Sequence, residues 1–332
     1  MGCKAVDPLH TTAAAACSGG PALLLRPAPS EAPVRSDAAI PALRIAVGIA
    51  TVGRPHILRI ALEQLARQSR PADCVLVCAP TVADLDDAIG RATAEIILGP
   101  LGLTRQRNAI LQHARQYDIL VFFDDDFLPA PSYLAAVEDV FRAHADVVMM
   151  TGAVIADGVV GAGLAPGEAL RLLADAPPIR DAGDGLDEVA NGYGCNMAVR
   201  LTAVRDTQCD FDEKLPLYGW LEDVDFSLRL ASMGRIVRAS AARGVHLGIK
   251  QGRQSGIRLG YSQIANPFYL ARKGTCPWPR ALRTMTRNIA ANCLRSLRPE
   301  PYIDRRGRLA GNMMGLRDLI ERKLDPERIL EL

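Results

Sequence analysis

Short apolar runs alternate with stretches of helical period along the first half of the chain. The runs of strand length lie at residues 43–55, which end in a Gly-Arg-Pro turn, and at 73–80, 95–99 and 118–126. The stretches of helical period lie at residues 56–68, 81–92, 103–116 and 132–144. Strands and helices that alternate at this spacing predict an α/β fold with a mostly parallel central sheet flanked by helices.

The second half of the chain is less regular. Strands are predicted at residues 147–155, 195–200 and 235–248, the last as one strand or two, and a helix is predicted at 221–234. Residues 157–194 are rich in Gly and Asp and are predicted to loop over the site. Helices are predicted from residue 258 onward, with a break at 275–279 and two C-terminal helices at 277–296 and 307–323.

Three consecutive carboxylates follow the apolar run 119–123. Side chains alternate across a strand, so Asp124 and Asp126 should face one side and Asp125 the other. Neighbouring carboxylates repel each other unless a cation is near, and Mg²⁺ or Mn²⁺ prefers carboxylate oxygens and shares its shell with phosphates. Because ligands bind at the carboxyl ends of such strands, a metal–diphosphate site is predicted here. The alternative is a polar turn that caps the next helix, although the acids lie too far upstream of Ser132 to cap it.

A second acidic group opens the helix predicted at 221–234, and its members are Glu222, Asp223 and Asp225. Acids in a first turn stabilise the helix dipole, and Asp225 with Arg229 forms an i, i+4 pair. A single acid would serve that purpose. Tyr218 and Trp220 would also desolvate this corner and raise the pKa of a carboxylate, as a general base requires. Both interpretations stay open on the sequence alone.

Other polar residues are candidates for the same crevice. At the start of the helix 103–116, Arg105 and Arg107 could meet phosphate and Asn108 a base or ribose, or they could form a solvated helix face. His246 ends an apolar strand and becomes a metal-ligand candidate only together with the aspartates.

The segment 250–262 has three glycines and two arginines, Arg253 and Arg258. A Gly-hinged basic loop of this kind could close over a diphosphate as a lid, or it could be an ordinary flexible loop.

Composition and charge narrow the class of protein. The 332 residues have a net charge of +2, which does not indicate a protein that binds nucleic acid. Residues 271–332, however, hold 14 Lys/Arg and 7 Asp/Glu. That basic end suggests an anionic partner nearby, or a solvated helical face. Eight cysteines without C-x-x-C spacing predict reduced thiols, as in a reducing cytoplasm. The chain also has no apolar run of about 18 residues, so no transmembrane helix is predicted.

Five segments, in this order, resemble a family 2 glycosyltransferase with the GT-A fold. They are VGIATVGRP (47–55), TRQRNA (104–109), FFDDDF (122–127), GCNMAVR (194–200) and GWLEDVDFSLRL (219–230). The resemblance covers about residues 43–275, and the C-terminal tail is similar to tails of bacterial exopolysaccharide-type members. Composition predicts a disordered leader at residues 1–42, which contain 11 Ala and 6 Pro and little periodicity. The resemblance implies a Rossmann-like nucleotide-sugar half at 43–126 and an acceptor half at 127–275, and a basic helical extension is expected at 276–332.

The resemblance also implies roles for individual residues. It makes Asp223 the catalytic base, with Glu222 as the next candidate, and Asp124, Asp126 and His246 the ligands of Mg²⁺ or Mn²⁺. Nucleotide-sugar contacts are implied for Thr51, Arg54, Arg107, Asn108 and Asp124. Such contacts are also expected for Asp125, Arg253 and Arg258, and acceptor contacts are expected for Trp220 and Asn196. The second strand ends at Val77-Cys78-Ala79-Pro80 without the Asp that binds uracil in many members, so the nucleotide is left open.

The expected activity is a metal-dependent inverting transfer of a sugar, of hexosyltransferase type, from a nucleotide-diphosphate sugar to a hydroxyl of a glycan or lipid-linked acceptor. The C-terminal helices could dock on the body, dimerise or lie peripherally on the inner face of an anionic plasma membrane. One alternative is a sugar-1-phosphate nucleotidyltransferase, which would need more glycine after the first strand. Another is a non-catalytic subunit that binds a sugar nucleotide or polysaccharide.

Overall fold

The computed structural model describes residues 42–85, 94–177, 185–250 and 255–332. The predicted leader, apart from Ala42, lies outside these ranges, as do most of the predicted helix 81–92 and Arg253.

Nine strands form one sheet in the part of the chain that the structure describes. They are β1 (Ile45–Ala50), β2 (Cys74–Ala79), β3 (Glu95–Leu98), β4 (Ile119–Asp124), β5 (Phe127–Pro129), β6 (Val147–Asp157), β7 (Leu186–Glu188), β8 (Asn196–Arg200) and β9 (Arg235–His246). The spatial order is β3-β2-β1-β4-β8-β6-β9-β5, and β7 pairs with β9 beside this path.

The helices connect and cover these strands. They are α1 (Pro55–Leu65), α2 (Leu103–His113), α3 (Tyr133–Ala143), α4 (Pro166–Ala174), α5 (Leu201–Thr207), α6 (Glu222–Leu230), α7 (Gly256–Lys273), α8 (Trp278–Arg295) and α9 (Arg305–Ile320). Short 3₁₀ segments lie at Val82–Asp84 and Pro326–Leu330. Every helix among the described residues is too short or too polar to cross a bilayer.

The first half of the sheet is parallel and changes direction of winding at β1. The chain runs from β1 outward to β2 and β3, and it then returns to place β4 on the other side of β1. In open α/β sheets ligands bind at the carboxyl ends of the strands where the winding reverses. Here that position is the gap between the ends of β1 and β4.

The second half of the sheet mixes directions. β8 lies antiparallel to both β4 and β6, whereas β6 and β9 are parallel. The β6–β9 pairing contains three register shifts and ends with Asp157 beside His246. β5 runs antiparallel to β9 and places Phe127 opposite His246, so the end of β9 lies next to the acids that follow β4.

Successive side chains of β1 point to opposite faces of the sheet and pack into a hydrophobic cluster on each face. Ile45, Val47 and Ile49 pack with Leu58 of α1 and with α3, whereas Ala46 packs on the opposite face with Ile110 of α2. Fully burying each of the larger side chains contributes about 1.5–3 kcal/mol. Gly48 is required where α2 crosses β1, because an added Cβ would lie 2.5 Å from a methyl carbon of Ile110.

The strands predicted at 43–55, 73–80, 95–99 and 118–126 and the helices predicted at 56–68, 103–116 and 132–144 are confirmed, whereas of the helix predicted at 81–92 the structure describes only residues 81–85, which hold a 3₁₀ turn. Cys74 and Cys78, four residues apart on β2, lie on the same core face, and all six cysteines in the described ranges are free thiols. The prediction of a loop throughout 157–194 is wrong in part, because α4 and β7 lie within it. The strand β5 and the helix α5 were also not predicted, because they have only three and seven residues, respectively.

Candidate metal and catalytic site

The three consecutive aspartates lie at the point where the winding of the sheet reverses. Asp124 is the last residue of β4 and is paired with Ala50 at the end of β1. Asp125 turns away from its neighbours and is fully buried. The Thr51 hydroxyl donates to it over 2.7 Å, and the Arg54 guanidinium lies 2.5 Å from its other oxygen. The predicted alternation of side chains is therefore observed.

The two outer aspartates point toward His246. The Nε2 atom of His246 lies 3.2 Å from Oδ1 of Asp126 and 4.0 Å from Oδ2 of Asp124. One ligand atom from each of the three residues lies within 4.8 Å of the others. Two carboxylate oxygens and one imidazole nitrogen around a common point form a donor set of the kind that holds a divalent cation.

The second oxygen of each aspartate is held by the protein. Oδ2 of Asp126 accepts the Ile249 N–H over 2.8 Å and lies 3.5 Å from Arg54. Oδ1 of Asp124 accepts from Arg107 over 3.0 Å. Each carboxylate is thus oriented through one oxygen and turns the other toward His246, so these residues fit a shared cation.

Burial and charge shift the pKa values of this group in different directions. Burial raises the pKa of Asp125 to about 7, although Arg54 opposes the increase. Burial would also raise the pKa of Asp126, but hydrogen bonding to His246 and the charge of Arg54 outweigh it and lower that pKa to about 2. For His246, burial is outweighed by hydrogen bonds to Asp126 and Asp157, which raise its pKa.

A tight turn presents the second acidic group. Leu217, Gly219 and Leu221 all adopt positive φ angles, of 58°, 63° and 74°. A non-glycine residue in this conformation costs on the order of 1–3 kcal/mol, so the surrounding structure must enforce it. The carbonyl of Leu217 accepts the N–H of Leu103 over 2.7 Å, which docks the turn on the first residue of α2. Glu222 begins α6 immediately after this turn.

Arg107 joins the two acidic groups. It is only 2% exposed, and its guanidinium pairs with Asp124 on one side and with Glu222 on the other. It also donates to the carbonyl of Gly194 over 2.7 Å and lies 5.5 Å from the ring centre of Phe122. The structure therefore places Arg107 beneath the site, between the predicted metal ligands and the predicted catalytic acids.

The acids of α6 occupy different environments. Asp223 is half-buried and accepts N–H groups from Gly194 and Val224 over 3.0 and 2.8 Å. Burial raises its pKa above that of an ordinary aspartate. Burial, reinforced by the charge of Asp223, raises the pKa of Glu222 to about 8 despite Arg107. Burial is the main cause of both increases, and repulsion among the carboxylates around this guanidinium adds to it.

Asp225 serves the fold instead. It is fully buried and pairs with Arg229 over 3.0 Å, with Lys273 over 2.9 Å and with the Thr275 hydroxyl over 2.8 Å. The predicted i, i+4 pair with Arg229 is present, and the wider set of contacts fixes the end of α7 against α6.

Some predicted site residues lie elsewhere. The side chain of Asn108 bonds the backbone of Phe211 in both directions, so its position does not support a nucleotide contact. Asn196 is fully buried within the sheet, where it accepts from Thr151, and its position does not support an acceptor contact. Arg258 lies on α7 and donates to the carbonyl of Leu332. Trp220 lies half-buried two residues before Glu222.

Three residues that the sequence did not single out border the cluster. Gly194 contacts both Arg107 and Asp223, and a Cβ at this position would lie 3.0 Å from a Glu222 oxygen. Asp157 lies 3.2 Å from Nδ1 of His246, and the Tyr193 hydroxyl donates to Asp157 over 2.9 Å. The run Gly192-Tyr193-Gly194 was a usable signal, because closely spaced glycines often allow a close backbone approach.

The sheet order and the acids at its rim define the class of fold, which is GT-A. Among solved structures, the chain resembles the mannosyltransferase PcManGT from Pyrobaculum calidifontis in complex with GDP-Man and Mn²⁺. The TM-score is 0.50 at 16% identity, and the match covers 88% of this chain and 86% of that one.

Two other solved structures match over much of the chain. GalNAc-T7 with UDP, GalNAc and Mn²⁺ has a TM-score of 0.49 at 12% identity, with 87% of this chain and 56% of that one covered. TarS from S. aureus has a TM-score of 0.43 at 16% identity, with 68% of this chain covered, and the match spans 40% of the TarS chain. No protein-family model and no curated protein matches the sequence.

Proposed function

We propose that this protein is a metal-dependent inverting glycosyltransferase of the hexosyltransferase class. It transfers a sugar from a nucleotide-diphosphate sugar to a hydroxyl of a glycan or lipid-linked acceptor. The observation that carries the proposal is the cluster of Asp124, Asp126 and His246 at the reversal point of the sheet, one guanidinium away from Glu222. The likeness to a mannosyltransferase solved with GDP-Man and Mn²⁺ supports it.

The metal ligands in this proposal are Asp126, His246 and Asp124. A divalent cation bound there would neutralise charge on the diphosphate leaving group. An imidazole within the donor set favours Mn²⁺ over Mg²⁺, because Mg²⁺ prefers oxygen ligands throughout. Arg54 and Thr51 hold Asp125 in place behind this group.

Asp223 is the base in the proposed reaction. Its carboxylate takes the proton from the acceptor hydroxyl while that oxygen forms a bond to C1 of the sugar. The bond from C1 to the phosphate oxygen breaks on the opposite side, and the nucleoside diphosphate leaves with the electron pair. Two backbone N–H groups fix the orientation of Asp223, and its raised pKa makes it a stronger base than an exposed aspartate.

The test replaces Asp223 by Asn and measures donor binding and turnover separately. A panel of nucleotide sugars with Mn²⁺ is first screened by thermal shift, because a ligand that binds the folded state raises the melting temperature. With the donor so identified, Asp223→Asn should bind it normally and lose on the order of 10²–10⁴-fold in kcat. Asp206→Asn, an exposed acid on α5, is the matched control. Near-normal turnover of Asp223→Asn contradicts the base assignment and directs attention to Glu222.

We also propose that α8 contacts an anionic membrane surface peripherally, on the cytoplasmic side. Leu294 near the end of α8 and Leu297 just after it are 71% and 80% exposed, and Arg287 on α8 and Arg298 after it are exposed as well. Exposed leucine and arginine side chains within one segment match an interface of apolar chains and anionic headgroups. Flotation with vesicles containing phosphatidylserine should recover the protein, and Leu294→Glu with Leu297→Glu should abolish recovery. Equal recovery of the double variant contradicts this proposal.

A further inference from the structure

We propose that Asp157, held in place by Tyr193, is a positioning residue that orients His246 for metal binding. The inference rests on the proposed metal site, and it adds two residues that the sequence motifs do not include. It is drawn from the contacts on the side of the imidazole that faces away from Asp124 and Asp126.

The two ring nitrogens of His246 have separate partners. Nε2 lies 3.2 Å from Asp126, within the ligand cluster, whereas Nδ1 lies 3.2 Å from Oδ1 of Asp157. A metal-binding imidazole must present a lone pair at one nitrogen and carry its proton on the other. A carboxylate at Nδ1 accepts that proton in a hydrogen bond, which leaves the Nε2 lone pair directed at Asp124 and Asp126.

Tyr193 fixes the position of Asp157. Its hydroxyl donates to Oδ2 of Asp157 over 2.9 Å, so the two oxygens of this carboxylate have different partners. The tyrosine ring also meets the His246 ring edge to face, with 6.0 Å between the ring centres. Its backbone N–H donates to the Thr151 hydroxyl over 3.2 Å, which connects the loop before β8 to the middle of β6.

The backbone places Asp157 at this position specifically. Asp157 is the register partner of His246 at the end of the parallel β6–β9 pair, after the register shifts within that pair. The next residue, Gly158, donates its N–H to the His246 carbonyl over 2.8 Å. A Cβ at Gly158 would lie 2.0 Å from the Leu247 carbonyl oxygen, so only glycine allows the end of β6 to approach β9 this closely.

The experiment measures Mn²⁺ affinity directly, from the electron paramagnetic resonance signal of free Mn²⁺ during titration of the protein without nucleotide sugar. Asp157→Asn should weaken binding by about 10- to 100-fold, the usual effect of losing a partner of a metal-binding histidine. Tyr193→Phe should weaken it less, because the carboxylate remains. Asp187→Asn is the matched control, since it removes the same charge from an acid of β7 that pairs with Arg238.

A second measurement separates positioning from structural damage. Once a donor is known, turnover of Asp157→Asn is followed against Mn²⁺ concentration. A positioning role moves the curve to higher Mn²⁺ and leaves its plateau near that of the unaltered protein. A plateau that stays low at saturating Mn²⁺ overturns the positioning role.

His246→Ala distinguishes failure of this inference from failure of the proposed site. If His246→Ala weakens Mn²⁺ binding and Asp157→Asn does not, the site stands and the role of Asp157 is wrong. If His246→Ala has no effect, the proposed metal site itself is wrong. Equal weakening by Asp157→Asn and Asp187→Asn shows a general effect of charge and also overturns the specific role of Asp157.

Discussion

Replacing Arg107 by Met tests whether this residue neutralises the buried acids. The substitution removes the partner of Asp124 and Glu222 and the donor to the Gly194 carbonyl. Leaving a buried charge without its partner costs about 3–5 kcal/mol. At pH 9, where Glu222 is ionised in the unaltered protein, we therefore expect the free energy of unfolding to fall by about 4 kcal/mol, which corresponds to about a thousandfold change in the folding equilibrium. Urea unfolding gives this quantity from the midpoint and the slope of the transition.

The loss of stability should depend on pH in a definite direction. Arg107 lowers the pKa of Glu222, which nevertheless stands at about 8 in the folded protein because of burial. Below that pH Glu222 is protonated with or without Arg107, so its pairing adds little stability. As the pH rises through about 8, the carboxylate ionises in the unaltered protein but is held protonated in the variant. The cost of Arg107→Met should then grow by up to about 1.4 kcal/mol per pH unit.

Measurements at pH 6.5 and pH 9 test this reasoning. Arg200→Met is the matched control, because Arg200 stacks on Phe141 and donates to backbone carbonyls, which do not titrate. Its cost should be the same at both pH values. Adding Glu222→Gln to Arg107→Met should remove the increase with pH. A cost below about 1 kcal/mol at pH 9, or a cost that falls as the pH rises, refutes the argument.

Three further predictions concern single groups. Burial raises the pKa of Asp223 above the ordinary 3.8, so kcat/KM should fall as the pH is lowered, with an apparent pKa above 3.8. A pH profile of kcat/KM whose acidic decline has an apparent pKa at or below 3.8 contradicts this. Gly158→Ala should weaken Mn²⁺ binding in the same titration, because the added carbon would separate β6 from Leu247; unchanged affinity means that the strand end adjusts freely. Cys293 is exposed, whereas Cys78 is buried and its pKa is raised to about 11. Cys293→Ser should therefore remove one thiol that reacts with Ellman's reagent in the native protein, and Cys78→Ser should remove none.

Local periodicity was sufficient to predict the parallel half of the sheet. Each strand from β1 to β4 is an apolar run bounded by turn residues, and each is followed or preceded by an amphipathic helix. The direction of Asp124, Asp125 and Asp126 also followed from alternation alone. These features depend on neighbours in sequence, and such neighbours are what a sequence pattern records.

The direction of a polar side chain within the crevice depends on distant residues. Arg107 and Asn108 are adjacent on α2, yet Arg107 turns toward the acids and Asn108 toward Phe211. Asn196 belongs to a strand with neighbours on both sides, so its amide is satisfied by Thr151 inside the sheet. The periodicity of a helix or strand does not indicate whether a polar side chain faces the site or bonds to the protein interior.

Asp157 illustrates the same limit for the rest of the site. It meets His246 only because β6 and β9 are paired with three changes of register, and 89 residues separate the two side chains in sequence. Within 157–194 the chain has an exposed three-residue strand and a nine-residue helix with one fully buried residue. Such elements leave a weak hydrophobic pattern, so the segment resembles a loop until its partners are known.

The charge balance of the cluster explains how it can fold and still accept a cation. Six carboxylates meet three cationic side chains; the acids are Asp124, Asp125, Asp126, Asp157, Glu222 and Asp223, and the cations are Arg54, Arg107 and His246. Full ionisation would leave three negative charges unmatched, and the raised pKa values of Asp125 and Glu222 show that protons meet part of this deficit. A divalent cation at the outer aspartates would meet the remainder, since its two charges would replace the one that His246 loses when it gives up a proton to bind as a neutral ligand. Arg54 and Arg107 each hold a single oxygen of these aspartates, so the acids stay in place without a cation and keep the opposite oxygen directed at the proposed metal position.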